Sequence, residues 1–207
     1  MADYVVIRPR DDGAARQVSD WCDELVKRLT GNGHSLIGNV DDTSPASKTS
    51  ILAALAINCR LACYFGHGDN NSWLTSGSVT VDKTNVGAAT GKAVVSVACK
   101  TGRDLGADAF NSGVKAWLGF KVRVAVLAPH KNRDPVGDTM VDALAVLGNS
   151  GTMQDAYDAI KQGFDQLADD YDTGSLSGRH DSVAGYMASI VLRDYVSLDG
   201  ASSFVPL

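Results

Sequence analysis

The sequence has no apolar run long enough to cross a membrane, no cluster of basic residues and few cysteines. None of its apolar stretches approaches the ~18–20 residues that a membrane helix needs. Its 24 acidic residues outnumber 19 Lys and Arg, and the resulting net charge of −5 argues against a nucleic-acid surface. The N-terminal segment carries acid early and lacks the basic-then-apolar pattern of an export signal. We therefore expect a cytoplasmic protein that binds neither nucleic acid nor membrane.

The four cysteines make no disulfide framework in a chain of 207 residues, and their spacing lacks the paired pattern of a zinc site. Cys22, Cys59 and Cys63 are typical of small buried hydrophobic residues in a reduced compartment. We expect no metal and no cofactor. Cys99 differs from the others because, in "VVSVACKTG", it ends an apolar run and precedes a glycine-containing turn.

Apolar runs of strand length alternate with segments of helical periodicity. The runs lie at 4–7, 34–40, 60–65, 93–98, 114–120 and 122–128, and helical spacing is found at 14–29, 140–147, 153–167 and 183–191, with a further helix starting at Ser44 and Pro45. The polar segment 66–92 is expected to be a loop region. Continuous apolar strands suit a sheet covered on both faces, so the alternation predicts an α/β domain with a mostly parallel sheet.

Two glycine-containing turns each follow an apolar run of strand length. The first is "YFGHGD", in which His67 lies between two glycines, and the second contains Cys99. In open α/β sheets, functional residues lie just beyond the carboxyl ends of the strands. Neighbouring strands are about 4.8 Å apart, a spacing that lets the two side chains approach hydrogen-bonding distance. The pattern therefore predicts one site that contains both His67 and Cys99.

A paired cysteine and histidine suits acyl transfer. The thiolate is the nucleophile, and an imidazole can accept its proton and later protonate the leaving amine. Backbone N–H groups of Gly68 and Cys99 would stabilise the oxyanion. Other cysteine chemistries fail on spacing, because a tyrosine-phosphatase loop needs Arg where the chain has Leu105, and a thioredoxin-like motif needs Cys where it has Gly102.

The order His-Gly, then a strand ending in Ala-Cys-x-(Ser/Thr)-Gly, resembles the caspase-like cysteine peptidases of clan CD, closest to their CHAT and clostripain/gingipain-type branches. The resemblance extends over "YFGHGD", "VSVACKTG", "NSGVKAWLGF" and "GTMQDAYDAIKQGF". It implies a three-layer α/β/α sandwich over residues 1–207 as a single domain. It also implies that Cys99 is the nucleophile, that His67 is the general base, that the N–H groups of Gly68 and Cys99 form the oxyanion hole, and that no metal takes part.

The residue two positions before the nucleophile helps to select the substrate in several members of that family. An acidic residue there favours basic substrates, whereas this chain has Val97, so that determinant is missing. The further pocket candidates are Arg8, Arg10, Asp69, Trp117 and His130. For Asp69 a turn position, and for Trp117 a core position, is the alternative interpretation.

The resemblance predicts a cysteine endopeptidase that cleaves protein substrates, in a prokaryotic signalling or defence pathway, under the control of a separate regulatory protein. A second hypothesis is a catalytically silent caspase-like fold that serves as a protein-binding or scaffold module. A third is an unrelated α/β domain that binds a small ligand at the same sheet edge. Against the third, "IRPRDDG" after the first strand contains neither G-x-G-x-x-G nor the Walker pattern.

Overall fold

The structure is a computed structural model that describes residues 2–41, 46–127, 134–176 and 182–207. Within these ranges the strands are β1 Asp3–Ile7, β2 Ser35–Val40, β3 Leu61–Phe65, β4 His67–Gly68, β5 Ser72–Thr75, β6 Ser78–Asp82, β7 Ala93–Val97, β8 Ala116–Phe120 and β9 Val196–Gly200. The helices are α1 Gly13–Gly31, α2 Lys48–Ala56, α3 Asp104–Asn111, α4 Pro135–Leu144, α5 Met153–Asp172 and α6 Ser182–Tyr195. Among the residues described, no helix has the length and apolar character of a membrane span.

Six strands form the central sheet in the order β2-β1-β3-β7-β8-β9. All neighbouring pairs are parallel except β8 and β9, which are antiparallel. β3 and β7 are direct neighbours, with Phe65 opposite Val97 at their carboxyl ends. The two apolar runs that precede His67 and Cys99 therefore lie side by side.

Successive residues of the central strands enter two separate hydrophobic clusters, because side chains alternate between the faces of a sheet. Cys63 and Phe65 of β3 lie in a cluster with α1, α4 and α5, whereas Ala62 and Tyr64 lie in a cluster with α2 and α3. Both faces are thus covered, and the strands are continuously apolar for that reason. The predicted three-layer sandwich around a mostly parallel sheet is confirmed.

The expectation that 66–92 is only a loop region is wrong. β4, β5 and β6 form a small antiparallel sheet, and Trp73 and Val81 are fully buried against the central sheet. The two-residue connection between β5 and β6 has φ of +49° at Ser76 and +74° at Gly77. Positive φ at both positions is the geometry that joins the strands of a tight hairpin.

The runs at 114–120 and 122–128 predict one or two strands, and the structure has one, β8, with no strand in the described part of the second run, 122–127. β8 ends at Phe120. β9, which follows α6, pairs with the free side of β8 in the antiparallel direction. The segment therefore leaves the sheet, and Val124 packs on the α1 face. The predicted helix start at Ser44 and Pro45 lies outside the described residues, and α2 begins at Lys48.

Candidate active site

Three neighbouring strands, β1, β3 and β7, bring polar side chains to one edge of the sheet. Asp12 follows β1 at the start of α1, His67 follows β3 after Gly66, and Cys99 follows β7 after Ala98. Because the three strands are parallel and adjacent, their carboxyl ends meet at this edge. The loops that follow them place an acid, an imidazole and a thiol in sequence across it.

His67 and Cys99 line the same cavity, which has a volume of about 80 Å³. Both side chains are partly exposed, and no hydrogen bond joins them among the described residues. The other described residues of the wall are Gly66 and six residues with alkyl side chains, Ala14, Ala15, Val18, Val97, Val124 and Val126. The thiol and the imidazole thus line one cavity whose other described side chains are apolar.

The turn that carries His67 packs directly against the turn that carries Cys99. A Cβ atom at Gly68 would lie 2.5 Å from Cγ2 of Thr101 and 3.1 Å from the carbonyl oxygen of Cys99. Only glycine permits this approach, which explains the glycine after His67. The oxyanion hole formed by the N–H groups of Gly68 and Cys99 stays a prediction.

His67 has a carboxylate partner that sequence reasoning missed. Its Nε2 lies 2.8 Å from Oδ2 of Asp12, while Oδ1 of the same carboxylate accepts the N–H of Ala15 at 2.8 Å and caps α1. The hydrogen bond from Ala15, and to a lesser degree the contact with His67, lower the pKa of Asp12, partly offset by burial. An ionised Asp12 holds the proton on Nε2, which leaves the lone pair on Nδ1.

Tyr64 holds the backbone of the turn that contains His67. Its buried hydroxyl lies 2.7 Å from the carbonyl oxygen of His67 and 2.8 Å from that of Leu74, and its proton can be donated to either. Burial raises the pKa of Tyr64, so the hydroxyl keeps its proton at neutral pH. Its ring stacks on Trp73, with 4.1 Å between centroids.

A buried chain of hydrogen bonds links the small sheet to the cysteine turn. Nε1 of Trp73 donates to Oγ of Ser96 at 2.9 Å, and that hydroxyl lies 2.9 Å from Oγ1 of Thr101. Thr101 in turn donates to the carbonyl oxygen of Ala98 at 3.3 Å. All donors and acceptors are satisfied when each hydroxyl donates in this one direction, which favours a single geometry for the residues around the thiol.

The two arginines proposed for the pocket are held elsewhere by acidic residues. Arg8 pairs with Asp23 and lies 3.5 Å from Asp41, and Arg10 pairs with Asp20 and lies 3.2 Å from Asp23. Neither guanidinium lines the cavity beside Cys99. Their contacts instead join the end of β1 to α1 and to the end of β2.

Asp69 is part of a turn. Its exposed carboxylate accepts the N–H of Asn71 at 2.8 Å and the hydroxyl of Ser72 at 2.9 Å. This pattern closes the connection between β4 and β5, which is the alternative that the sequence offered for Asp69.

Of the remaining pocket candidates that the structure describes, Val97 lines the cavity and Trp117 does not. Trp117 is fully buried in the α2 and α3 layer, where its ring lies 5.5 Å from that of Trp73, away from the cavity that Cys99 lines. His130 lies outside the described residues. In the part of the chain that the structure describes, no group of His, Cys, Asp and Glu could hold a metal ion.

Burial raises the pKa of the other three cysteine thiols. Cys22 and Cys63 are fully buried, and burial raises the pKa of Cys22 to about 12 and that of Cys63 well above its ordinary value. Burial also raises the pKa of Cys59, which is partly exposed. Their thiols are therefore poor sources of thiolate at neutral pH.

No family model and no curated protein matches the sequence. The structure does match solved structures, among them a complex of the pro- and mature domains of RgpB from Porphyromonas gingivalis, with a TM-score of 0.62 at 15% identity. A second is the Arg specific cysteine proteinase gingipain R, with a TM-score of 0.60 at 16% identity. Both matches cover 99% of this chain but 48% and 47% of the other, so the chain spans about half the length of these proteins.

The resemblance to caspase-like, gingipain-type peptidases is therefore confirmed as a likeness of fold. The likeness extends over nearly the whole chain and includes both strands that precede His67 and Cys99. At 15–16% identity it shows the fold alone, and any activity has to be argued from the side chains of the site.

Proposed function

We propose that this protein is a cysteine peptidase in which Cys99 is the nucleophile and His67 the general base. The observation that carries the proposal is the shared cavity, in which a partly exposed thiol and an imidazole meet at the carboxyl ends of two adjacent parallel strands. The contact between Nε2 of His67 and Asp12 adds a third group, which orients the ring. A nucleophile, a base and an orienting acid are the parts that acyl transfer needs.

In the first half of the reaction, Nδ1 of His67 accepts the proton of the Cys99 thiol. The sulfur attacks the carbonyl carbon of the scissile peptide bond, and the oxyanion is stabilised by the N–H groups of Gly68 and Cys99. The C–N bond then breaks as the imidazolium returns its proton to the amine that leaves. Asp12 stabilises the imidazolium during this interval without itself taking a proton.

In the second half, His67 removes a proton from water, and the hydroxide attacks the thioester carbon. The C–S bond breaks, a carboxylic acid leaves, and the thiol is restored. No oxidant, metal or other co-reactant is consumed. The substrate class is polypeptide, and a separate regulatory protein remains part of the proposal because RgpB is known with its pro-domain. That residues 1–207 act as one domain stays a prediction.

Cleavage of a mixed peptide library tests the proposal. We expect wild-type protein to cleave, and Cys99→Ala to lower the rate at least about a thousandfold, because it removes the nucleophile. Cys59→Ala is the matched control, since Cys59 is also partly exposed but lies outside this cavity. Cleavage that survives in Cys99→Ala would contradict the assignment. A folded wild-type protein that cleaves nothing would favour the scaffold hypothesis.

A further inference from the structure

The residues that line the cavity beside Cys99 indicate which substrate side chain the site accepts. In a cysteine peptidase the sulfur must reach the carbonyl carbon of the residue that precedes the cut. The side chain of that residue then has to enter space contiguous with the thiol. The small cavity that Cys99 lines is such a space, and His67 closes it on one side.

Apart from the imidazole and the thiol, every side chain that the structure describes in this wall is an alkyl group. Val18 comes from the second turn of α1, Val97 from the end of β7, and Val124 and Val126 from the segment that leaves the sheet after β8. A charged group in such a wall would lose its hydration without gaining a partner. The wall therefore disfavours arginine, lysine, aspartate and glutamate.

Three charged side chains near the cavity have partners of their own. Arg8 and Arg10 pair with acidic residues of α1. Both oxygens of Asp12 are used, one by the N–H of Ala15 and the other by His67. No described residue of the wall offers a carboxylate to a basic side chain or a guanidinium to an acidic one.

The volume limits the size of the side chain. A cavity of about 150 Å³ lined by aliphatic and aromatic groups is known to take a benzene ring of six carbons. By that measure a cavity of about 80 Å³ takes about three carbons. Alanine and valine fit this limit, whereas phenylalanine and arginine exceed it.

We propose that this cavity receives the side chain of the residue before the scissile bond and selects a small aliphatic one, from alanine to valine. The inference rests on the proposed function, since it names the substrate class of the same site. Selectivity of this kind arises from fit, and one methylene group more or less in an apolar pocket changes the rate about 10- to 200-fold.

A panel of peptidyl acyloxymethyl ketones tests the proposal. The probes differ only in the residue next to the ketone, which is Ala, Val, Leu, Phe, Asp or Arg. The sulfur of Cys99 displaces the carboxylate of the probe, so that a C–S bond forms as a C–O bond breaks, and intact-mass spectrometry gives the rate. We expect the Val and Ala probes to label Cys99 at least tenfold faster than the Phe, Asp and Arg probes.

Variants of the wall identify the cavity that is responsible. Val97→Ala removes two methyl groups from the wall, and we expect the fastest probe to change from Val to Leu. Val95→Ala is the matched control, because Val95 is an equally buried valine on the same face of β7 but does not line the cavity. Ala14→Leu changes an exposed position in the first turn of α1, so it spares the core. It should slow the Val probe at least tenfold while the Ala probe is affected less.

The outcomes separate this inference from the proposed function. Fastest labelling by the Arg or Asp probe, or equal rates with all six, would overturn the aliphatic pocket. A change of preference in Val95→Ala as large as in Val97→Ala would overturn the assignment of the wall. Cys99-dependent cleavage of the peptide library after arginine would contradict the pocket and leave the peptidase intact. Aliphatic labelling without any cleavage would support the pocket and contradict the peptidase.

Discussion

The two sides of His67 differ in polarity and in shape. On one side lies the small apolar cavity that contains the thiol of Cys99. On the other side lies an open depression of about 430 Å³, where the carboxylates of Asp11 and Asp12 and the residue Ser76 form part of the wall. One imidazole lines both spaces.

In the mechanism proposed above, the two ring nitrogens would have separate roles. Nε2 contacts Asp12, whose carboxylate would stabilise the positive charge that the ring acquires. Nδ1 would accept the proton of the thiol. A charged group in the wall of the apolar cavity would lose its hydration whenever a substrate side chain entered. The proposed arrangement keeps the negative charge close to the ring and away from the substrate side chain.

After loss of the nucleophile itself, removal of the imidazole has the largest expected effect, because it takes away the proposed general base, which lines both spaces. We expect His67→Ala to lower kcat/KM about 10²- to 10⁴-fold, the range of general acid–base catalysis. Cys99 should also react more slowly with iodoacetamide at neutral pH. Cys22 and Cys63 stay unreactive in the folded protein, because burial raises their pKa values, so the labelling reports on the exposed thiols.

The control for that experiment is His34→Gln. His34 is buried just beyond the C-terminal end of α1, whereas the site lies at its N-terminal end, and Nε2 of His34 lies 2.9 Å from the carbonyl oxygen of Gly148. We expect folded His34→Gln protein to show the same labelling rate at Cys99 as wild type. Equal labelling of Cys99 in wild type and His67→Ala would mean that the two residues do not act together.

Asp12→Asn comes next, since it changes only the polar side. Asparagine still caps a helix N-terminus, so α1 should keep its start. We expect kcat to fall about tenfold to a hundredfold with little change in KM, below the ~10⁴ of a buried triad aspartate because the side chain of Asp12 is 56% exposed. Steady-state kinetics with the library peptide that is cleaved fastest measures kcat and KM separately.

Asp11→Asn is the matched variant for this comparison. Asp11 lies in the same depression, but its carboxylate accepts the N–H of Ser76 and does not touch His67. If the depression acts only through its summed negative charge, both variants should lose activity to the same degree. That result would contradict the assignment of Asp12 as the residue that positions the ring.

The strands that carry the site could be predicted from sequence because their signals are local. The runs before His67 and Cys99 are apolar without interruption, and each ends in a turn that contains glycine. Both features follow from burial between two helical layers and from the close approach at Gly68. Such features depend on a few adjacent residues, so periodicity and turn chemistry are enough to find them.

The sequence left open whether 122–128 forms a strand, because two segments compete for one position in the sheet. The segments 122–127 and Val196–Gly200 both have strand-like sequences, but only one of them can pair with the free side of β8. Tertiary packing decides the outcome, and local propensity does not register it. The hairpin of β5 and β6 had a local signal in Ser76 and Gly77, which a search for two-residue turns would have found.

The pocket wall was hidden for a related reason. Ala15 and Val18 fit the apolar period of α1, and that period does not distinguish a side chain in the core from one that borders a cavity. Asp12 was hidden by distance, since 55 residues separate it from His67. Its position after β1 was the available signal, because β1 shares the functional edge with β3.

The smallest expected effect is the contribution of Asp12 to acid stability. Because its folded pKa lies below the ordinary value, its ionised form stabilises the folded state above about pH 4. That contribution is lost as the pH falls through the folded pKa. Water screens the exposed carboxylate, so we expect the loss to be less than about 1 kcal/mol. Urea unfolding at pH 7 and at pH 2.5 should therefore show a slightly larger fall in the free energy of unfolding for wild type than for Asp12→Asn. An equal fall would mean that an amide at position 12 stabilises the folded state as well as a carboxylate does. The negative charge of Asp12 would then matter for catalysis and not for stability.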